Sequence, residues 1–288
     1  MRRSDRWVCQ PVLDRTTTTR GAMYLFRLNT LVLTLIVFVA MFATAAVAFE
    51  CGRRLRHRSE HLREPYAVLQ ASLFGVVALI LAFGLALAVG RYDARRAAVV
   101  DDANTIGTTY LRAQTLPEPE RTESLELLRR YADTSIRLAN TTPASAAFDA
   151  AAADGDELQG DLWALAGEAL DQSPEGSAVR LYVESLNQMI DQETVRTSAL
   201  NNRVPDAVLA LEALAAACAV ALLAFLLALL GRGIGPALIA ATLVALLLLV
   251  TFDLDRPTRG TIKVPDKPLT DLRTSMDEPP AAAAPTDP

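Results

Sequence analysis

Four long runs without a charged residue constrain this chain more than any other feature. They cover Leu28–Phe49, Pro65–Gly90, Ala213–Gly231 and Gly233–Phe252, and each holds about 19 to 26 residues. A helix needs roughly 20 residues to cross the hydrocarbon core of a bilayer, where every backbone N–H and C=O must be paired within the segment. A core helix of a soluble protein shows a polar face, which these runs lack. The sequence therefore predicts an all-α integral membrane protein with four transmembrane helices.

The charged and polar residues divide the rest of the chain. A polar tail occupies 1–27, and a helical aqueous domain at 91–206 joins the second and third transmembrane helices. A C-terminal segment at 253–288 ends in a Pro/Ala-rich tail that we expect to be disordered. The predicted transmembrane helices lie at 28–49, 65–90, 207–231 and 233–252.

The first apolar run leaves two alternatives for the N-terminus. Ala46-Val47-Ala48 resembles a signal-peptidase site, but the run is longer than the roughly 7 to 15 residues of a cleaved signal, which favours a retained helix. Either Met1 or Met23 is the start of the chain. The arginines near the helix ends favour a multi-pass protein with a cytoplasmic N-terminus, although the basic first loop argues against that orientation.

The second transmembrane helix is predicted to continue into water without a break. Tyr92, Val99, Ala103, Ile106 and Tyr110 are spaced by 7, 4, 3 and 4 residues, which places them on one helical face. This face continues that of the apolar run before it. The prolines of "TLPEPERTES" then end the helix, because proline lacks a backbone donor and restricts the residue before it.

Two further amphipathic helices are predicted in the aqueous domain. Between them, the alanine-rich residues 141–157 read as a weak link, and Ser173-Pro174 reads as a cap followed by proline at the first helical position. The inward residues of the earlier helix are predicted to be Leu125, Leu128, Ala132 and Ile136. Those of the later helix are predicted to be Val179, Tyr182, Val183, Leu186 and Ile190.

No motif of the chain indicates an enzyme, a metal or a cofactor. The three cysteines (Cys9, Cys51 and Cys218) are widely spaced and indicate neither a disulfide framework nor a zinc site. His57 and His61 have a metal-ligand spacing, but they lie in an arginine-rich loop that would repel a cation. The segment "GRGIGPA" joins two membrane helices and reads as turn chemistry, and no nucleophile elbow or dinucleotide fingerprint is present.

Two groups of charged residues lie near the helix ends. Glu212 is an ionisable residue of the third transmembrane helix and so a functional candidate, but it lies about one turn from water and suits a helix N-terminus. The structural interpretation, in which Glu212 stabilises the N-terminus of its helix, is favoured over a functional role. Asp253, Asp255, Arg256 and Arg259 form a helix-end charge cluster after the fourth helix. Pairing with an arginine at the exit of the second helix and a role in ion passage both remain open.

Several segments together resemble a bacterial family of bestrophin-like integral membrane proteins, distant relatives of bestrophin ion channels. They are "RYDARR", "DDANTIGTTYLRA" followed by "LP", "LLRRYAD" and "DLDRPTRG". The resemblance covers roughly Ala67 to Leu272. It implies a homo-oligomer, possibly a pentamer, with four transmembrane helices per subunit and a central pore lined by the second helix.

The resemblance also suggests pore residues. It places the pore-lining positions at Gly75, Leu79 and Phe83, of which Leu79 and Phe83 suit an apolar constriction that gates by dewetting. Gly75 departs from the family pattern because it offers no side chain. Arg91 and Arg95, one turn apart, are either pore-mouth charges or ordinary anchors of a helix that leaves the bilayer.

The ion that such a pore would pass is left open between chloride and monovalent cations. The connection Arg91–Asp206 carries 20 acids and 11 arginines, a balance that would favour cations unless the acids face outward. The alternative function is a non-conducting membrane scaffold or sensor whose acidic helical domain binds a partner. No nucleic-acid partner is indicated.

Overall fold

The computed structural model describes residues 30–56, 63–143, 145–256 and 260–279, and within these residues the chain is helical with no strand. The eight helices of this part of the chain are α1 Thr30–Leu55, α2 Arg63–Ala113, α3 Glu120–Asn140, α4 Ala146–Gln172, α5 Ser177–Asn201, α6 Asp206–Leu229, α7 Gly235–Leu254 and α8 Lys267–Ser275.

Four of these helices form a membrane half. Helices α1, α6 and α7 and the first part of α2 are long and apolar enough to cross a bilayer, which confirms the predicted number. They pack through small side chains such as Ala45, Ala216 and Ala241, while large apolar side chains such as Leu35 and Leu243 face outward. An apolar surface of this extent is stable against lipid and not in water. The limits of the bilayer along each helix stay predictions.

Helix α2 is the rod that joins the two halves of the molecule. It runs unbroken for 51 residues, about 76 Å at 1.5 Å per residue, so the predicted continuation past Gly90 is confirmed. The buried face of α2 extends from Val77 and Leu81 in the membrane half to Ile106 and Tyr110 in the aqueous half. The helix ends shortly before Pro117, as the sequence predicts.

The aqueous half consists of the later part of α2 packed with α3, α4, α5 and α8. One apolar core joins these helices. On α3, Leu125, Leu128 and Ala132 are buried and Ile136 packs at the edge of the core. On α5, Val179, Tyr182 and Leu186 are buried, with Val183 and Ile190 partly so, as the spacing predicts.

Two predictions for this half are wrong. Residues 146–157 belong to a helix of 27 residues and are not a link, because Ser145 caps it by accepting a hydrogen bond from Phe148 N at 3.2 Å and its apolar side chains face the core. Ser173 ends that helix instead of starting the next one. Helix α5 begins at Ser177, after the N-cap Gly176.

The connection between α6 and α7 is a tight turn, as predicted. Arg232 N donates to Leu227 O at 2.9 Å and Gly231 N donates to Ala228 O at 3.0 Å. This is a Schellman motif, and Gly231 occupies its left-handed position with φ of 70°. Arg56 at the end of α1 lies against this turn. The turn and the end of α1 thus lie at one end of the membrane half. The aqueous half, the start of α1 and the end of α7 lie at the other end.

Candidate functional site

The three suggested pore positions lie together on one uncovered face of α2. Leu79 and Phe83 are 59% and 72% exposed, and a Cβ built at Gly75 would have no neighbour within 4 Å. The spacing of four residues aligns the three positions along the helix. The opposite face of the same turns packs against the bundle through Val77, Leu81 and Gly84. No other described element of the chain covers the outer face.

The same outer face continues along α2 into the aqueous half. Multiples of 100° per residue place Asp93, Ala97 and Asp101 on the side of Gly75, Leu79 and Phe83, and all six are exposed. The charges that follow the apolar positions on this face are therefore acidic.

Arg95 points the other way and is fully buried. Its guanidinium donates through Nη1 to Leu254 O at 3.0 Å, and through Nη2 to Asn202 O at 3.0 Å and Asp255 Oδ1 at 3.3 Å. Nε adds a longer contact to Ala199 O at 3.4 Å. The expectation that Arg95 is a pore-mouth charge is wrong, because these contacts hold it in the interior. Arg91 is half-buried, and its role stays a prediction.

Asp255 completes this buried site. One of its oxygens, Oδ1, accepts from Arg95 and from Val204 N at 2.9 Å. Burial raises the pKa of Asp255, although the Val204 amide and the Arg95 charge oppose that effect. The pair ties the end of α7 and the link between α5 and α6 to α2 at the point where α2 leaves the membrane half. This is the structural tie between helix ends that the sequence offered as one alternative.

The other residues of the helix-end charge cluster have different environments. Asp253 accepts hydrogen bonds from Thr261 N at 2.8 Å and Ile262 N at 2.9 Å, so it folds the following segment back onto α7. Arg256 is buried. Arg259 lies outside the described residues, as do His57 and His61.

A second buried polar group lies deep in the aqueous half, and the sequence analysis missed it. Arg196 donates to Asp102 and, at 2.7 Å, to Ser135 O. Beside it, Tyr131 Oη donates to Glu193 Oε2 at 2.8 Å. Burial raises the pKa of Asp102 and of Glu193. The signal was available in the sequence, because Glu193 and Arg196 continue the inward stripe of α5.

Glu212 does not lie at a solvent-exposed helix terminus. It is fully buried on α6, and neither carboxyl oxygen has a hydrogen-bond partner among the described residues. Its carboxyl group lies directly against the Cα of Gly84 on α2. The favoured helix-terminus interpretation of this residue is therefore wrong. Within the described ranges, no group of three or more His, Cys, Asp or Glu could hold a metal ion.

These features define an integral membrane protein in which one long helix runs from an apolar bundle into a helical aqueous domain. The Bestrophin-like domain model matches residues 35–269, and the chain therefore belongs to the bestrophin-like family. No curated protein is significantly similar to the chain in sequence.

The fold is also that of solved bestrophin homologues. A crystal structure of a bacterial bestrophin homologue from Klebsiella pneumoniae superposes with a TM-score of 0.63 at 12% identity, over 83% of this chain and 97% of that one. A point variant of that homologue gives the same TM-score and coverage at 13% identity. A variant of a membrane protein gives 0.60 at 14% identity, over 84% of this chain and 97% of that one.

Proposed function

We propose that the protein is an oligomeric ion channel whose pore is lined by the outer face of α2. The observation that carries the proposal is the alignment of Gly75, Leu79 and Phe83 on a face that the rest of the described chain leaves uncovered. A ring of subunits with these faces inward, as in the pentamer that the family resemblance implies, would place bulky apolar side chains around one axis. Leu79 and Phe83 would then form a constriction that excludes water until it widens. At Gly75 the pore would be wider.

The acidic residues on the outer face of α2 favour cations over chloride. Asp93 and Asp101 share the outer face with Phe83, while Arg95 is held in the interior. Rings of acidic side chains at a pore mouth raise the local concentration of cations and repel anions. The orientation proposed is that of a multi-pass protein of the bacterial inner membrane, with the N-terminus and the aqueous half in the cytoplasm.

Oligomeric mass and ion flux test this proposal together. The purified protein should have the mass of a pentamer in mild detergent and should release monovalent cations from liposomes. Phe83→Ala should increase the flux, because it removes the bulkiest side chain of the constriction. Phe42→Ala is the matched control, since Phe42 is an exposed aromatic residue of α1, and it should leave the flux unchanged. The proposal would be contradicted by a monomeric protein that passes no ions, either as the wild type or as Phe83→Ala.

The alternative is a non-conducting scaffold or sensor whose aqueous half binds a partner. It is supported by Trp163 on α4, which is 47% exposed and lies close in sequence to the exposed acids Glu157 and Asp161. Tryptophan is enriched at protein interfaces. Loss of partner binding on Trp163→Ala, in a protein that passes no ions, would favour this function.

A further inference from the structure

A buried carboxyl group, that of Glu212, lies in the apolar part of the membrane half, and the proposed pore does not use it. Glu212 on α6 has no exposed surface, and its side chain lies against Gly84 of α2. A Cβ at Gly84 would overlap Oε1, so the absence of a side chain there is what makes room for the carboxyl. Gly84 follows Phe83 directly in the sequence, so the two residues share a turn of α2 and point about 100° apart. The carboxyl group and the proposed constriction therefore lie on different faces of that turn.

Nothing charged among the described residues lies beside Glu212. No charged residue occurs at 30–49 of α1, at 65–90 of α2 or at 235–252 of α7. An apolar layer that includes Ala88, Leu209 and Leu254 lies between it and the buried ion pair. The charged groups nearest along the packed helices are Asp206 on α6, Arg91 and Arg95 on α2, and Asp253 and Asp255 at the end of α7. Arg91 is seven residues beyond Gly84, about 10 Å along the helix axis.

This environment selects the protonated carboxyl. An unpaired carboxylate in an apolar interior costs far more free energy than the neutral acid, so the group keeps its proton. Calcium and magnesium need about six oxygen ligands, and among the described residues no group of three or more His, Cys, Asp or Glu lies with Glu212 to supply them.

We propose that Glu212 is a proton-binding site between α6 and α2, and that loss of its proton moves α2 away from α6 at Gly84. The carboxylate left behind needs water or a cation, and neither fits while its oxygens lie against the Gly84 Cα. The contact therefore opens on ionisation, and Phe83 moves with its helix. The proton site is independent of conduction, whereas an effect of this motion on flux rests on the proposed function.

Infrared difference spectroscopy tests the proton site directly. A pH jump on the protein in nanodiscs should give a C=O band of a protonated carboxyl that disappears at alkaline pH. The band should be missing in Glu212→Gln, which keeps the shape of the side chain, and should remain in Glu193→Gln, which alters a buried acid of the aqueous half. Identical spectra of the wild type and Glu212→Gln would overturn the assignment. A wild type without any such band would overturn the assignment by itself, so the proposal stays falsifiable even if the Glu212→Gln variant does not fold.

A spin-label distance tests the coupling. Labels at Leu87→Cys on α2 and Leu211→Cys on α6, in a background in which the native cysteines are replaced, occupy exposed positions near the contact. Their separation should increase over the pH range in which the band disappears, and should be constant in Glu212→Gln. If the distance between the two labels stays constant with pH while the C=O band disappears, the coupling is overturned. Neither measurement requires ion flux, so a failure here is distinguishable from a failure of the channel proposal.

Discussion

Arg95 and Asp255 are 160 positions apart in the sequence, yet Nη2 of the arginine lies 3.3 Å from Oδ1 of the aspartate in a site without exposed surface. Removal of one partner from a buried pair leaves the other charge uncompensated, which typically costs about 3–5 kcal/mol. We therefore expect Asp255→Ala to lower the unfolding temperature of the detergent-solubilised protein strongly, as measured by circular dichroism.

An exposed ion pair provides the control for that measurement. Arg137 and Asp154 are closer, at 2.9 Å, but their side chains are 57% and 52% exposed. Exposed pairs contribute about 0–1 kcal/mol, so Asp154→Ala should change the unfolding temperature little. Equal losses in Asp154→Ala and Asp255→Ala would show that burial does not govern the Arg95–Asp255 pair.

Glu193 should make stability depend on pH in the direction opposite to that of a salt-bridged acid. Burial raises its pKa above the ordinary value of 4.5, although the Tyr131 hydroxyl opposes this. The native state then holds the proton more tightly than the unfolded chain, so its stabilising contribution is complete below about pH 4.5 and is lost as pH rises through the folded pKa. Glu193→Gln should reduce the fall in unfolding temperature between about pH 4.5 and neutrality.

The control for this pH dependence is an exposed acid on the same helix. Glu184 faces solvent on α5, and Glu184→Gln should leave the slope of unfolding temperature against pH as it is in the wild type. An unchanged slope in Glu193→Gln would mean that the carboxyl does not take up a proton on folding.

Gly52 should be required for the contact between α1 and α6. A Cβ at Gly52 would lie 2.7 Å from Phe225 O and 2.8 Å from the Ala228 Cβ, atoms that belong to or adjoin the α6 backbone. Because that backbone cannot yield as a side chain does, Gly52→Ala should cost about 1–3 kcal/mol. The measurement is the unfolding temperature in detergent.

Gly75→Ala is the matched control on another membrane helix. A Cβ there meets nothing within 4 Å, and alanine is favoured over glycine in a helix by roughly 1 kcal/mol. The Gly75→Ala variant should therefore be as stable as the wild type or more so. If Gly52→Ala behaved in the same way, the close approach of α1 to α6 would be wrong.

Asp101 should contribute to cation preference if the protein conducts. It lies on the outer face of α2, and a charged ring there acts through a field that salt screens within about 10 Å at 0.1 M. Asp101→Asn should reduce the cation-to-anion permeability ratio by up to roughly tenfold at low salt and less at high salt. Reversal potentials across a KCl gradient measure this ratio. Asp161→Asn, an exposed acid on α4, should not shift them, and equal shifts would argue for a nonspecific effect of net charge.

The orientation of Arg95 could have been predicted from the helical spacing. Arg95 lies four residues before Val99, whose inward direction the pattern had already indicated, so the same spacing places the guanidinium inside. The same reasoning applies to Glu193 and Arg196 on the inward stripe of α5. Charge alone led instead to a surface interpretation, which is usually sound because an arginine is rarely buried without a partner.

The error at α4 has a different physical source. The run of alanines at 150–153 offers little apolar area, and so it gave no strong periodic signal. Alanine is nevertheless the best helix former, and Ser145 supplies the cap. Packing of Phe148, Leu158 and Leu162 into the interior then fixes the helix in place.

The sequence by itself determined the number of membrane helices and the continuity of α2, because both follow from local rules: backbone groups in lipid must be paired within their own segment, and an apolar face repeats every 3.6 residues. Only the tertiary structure decided that Arg95 meets Asp255 and that Glu212 meets Gly84. These contacts join residues more than 120 positions apart, and they depend on how rigid helices pack against one another, which no local pattern encodes.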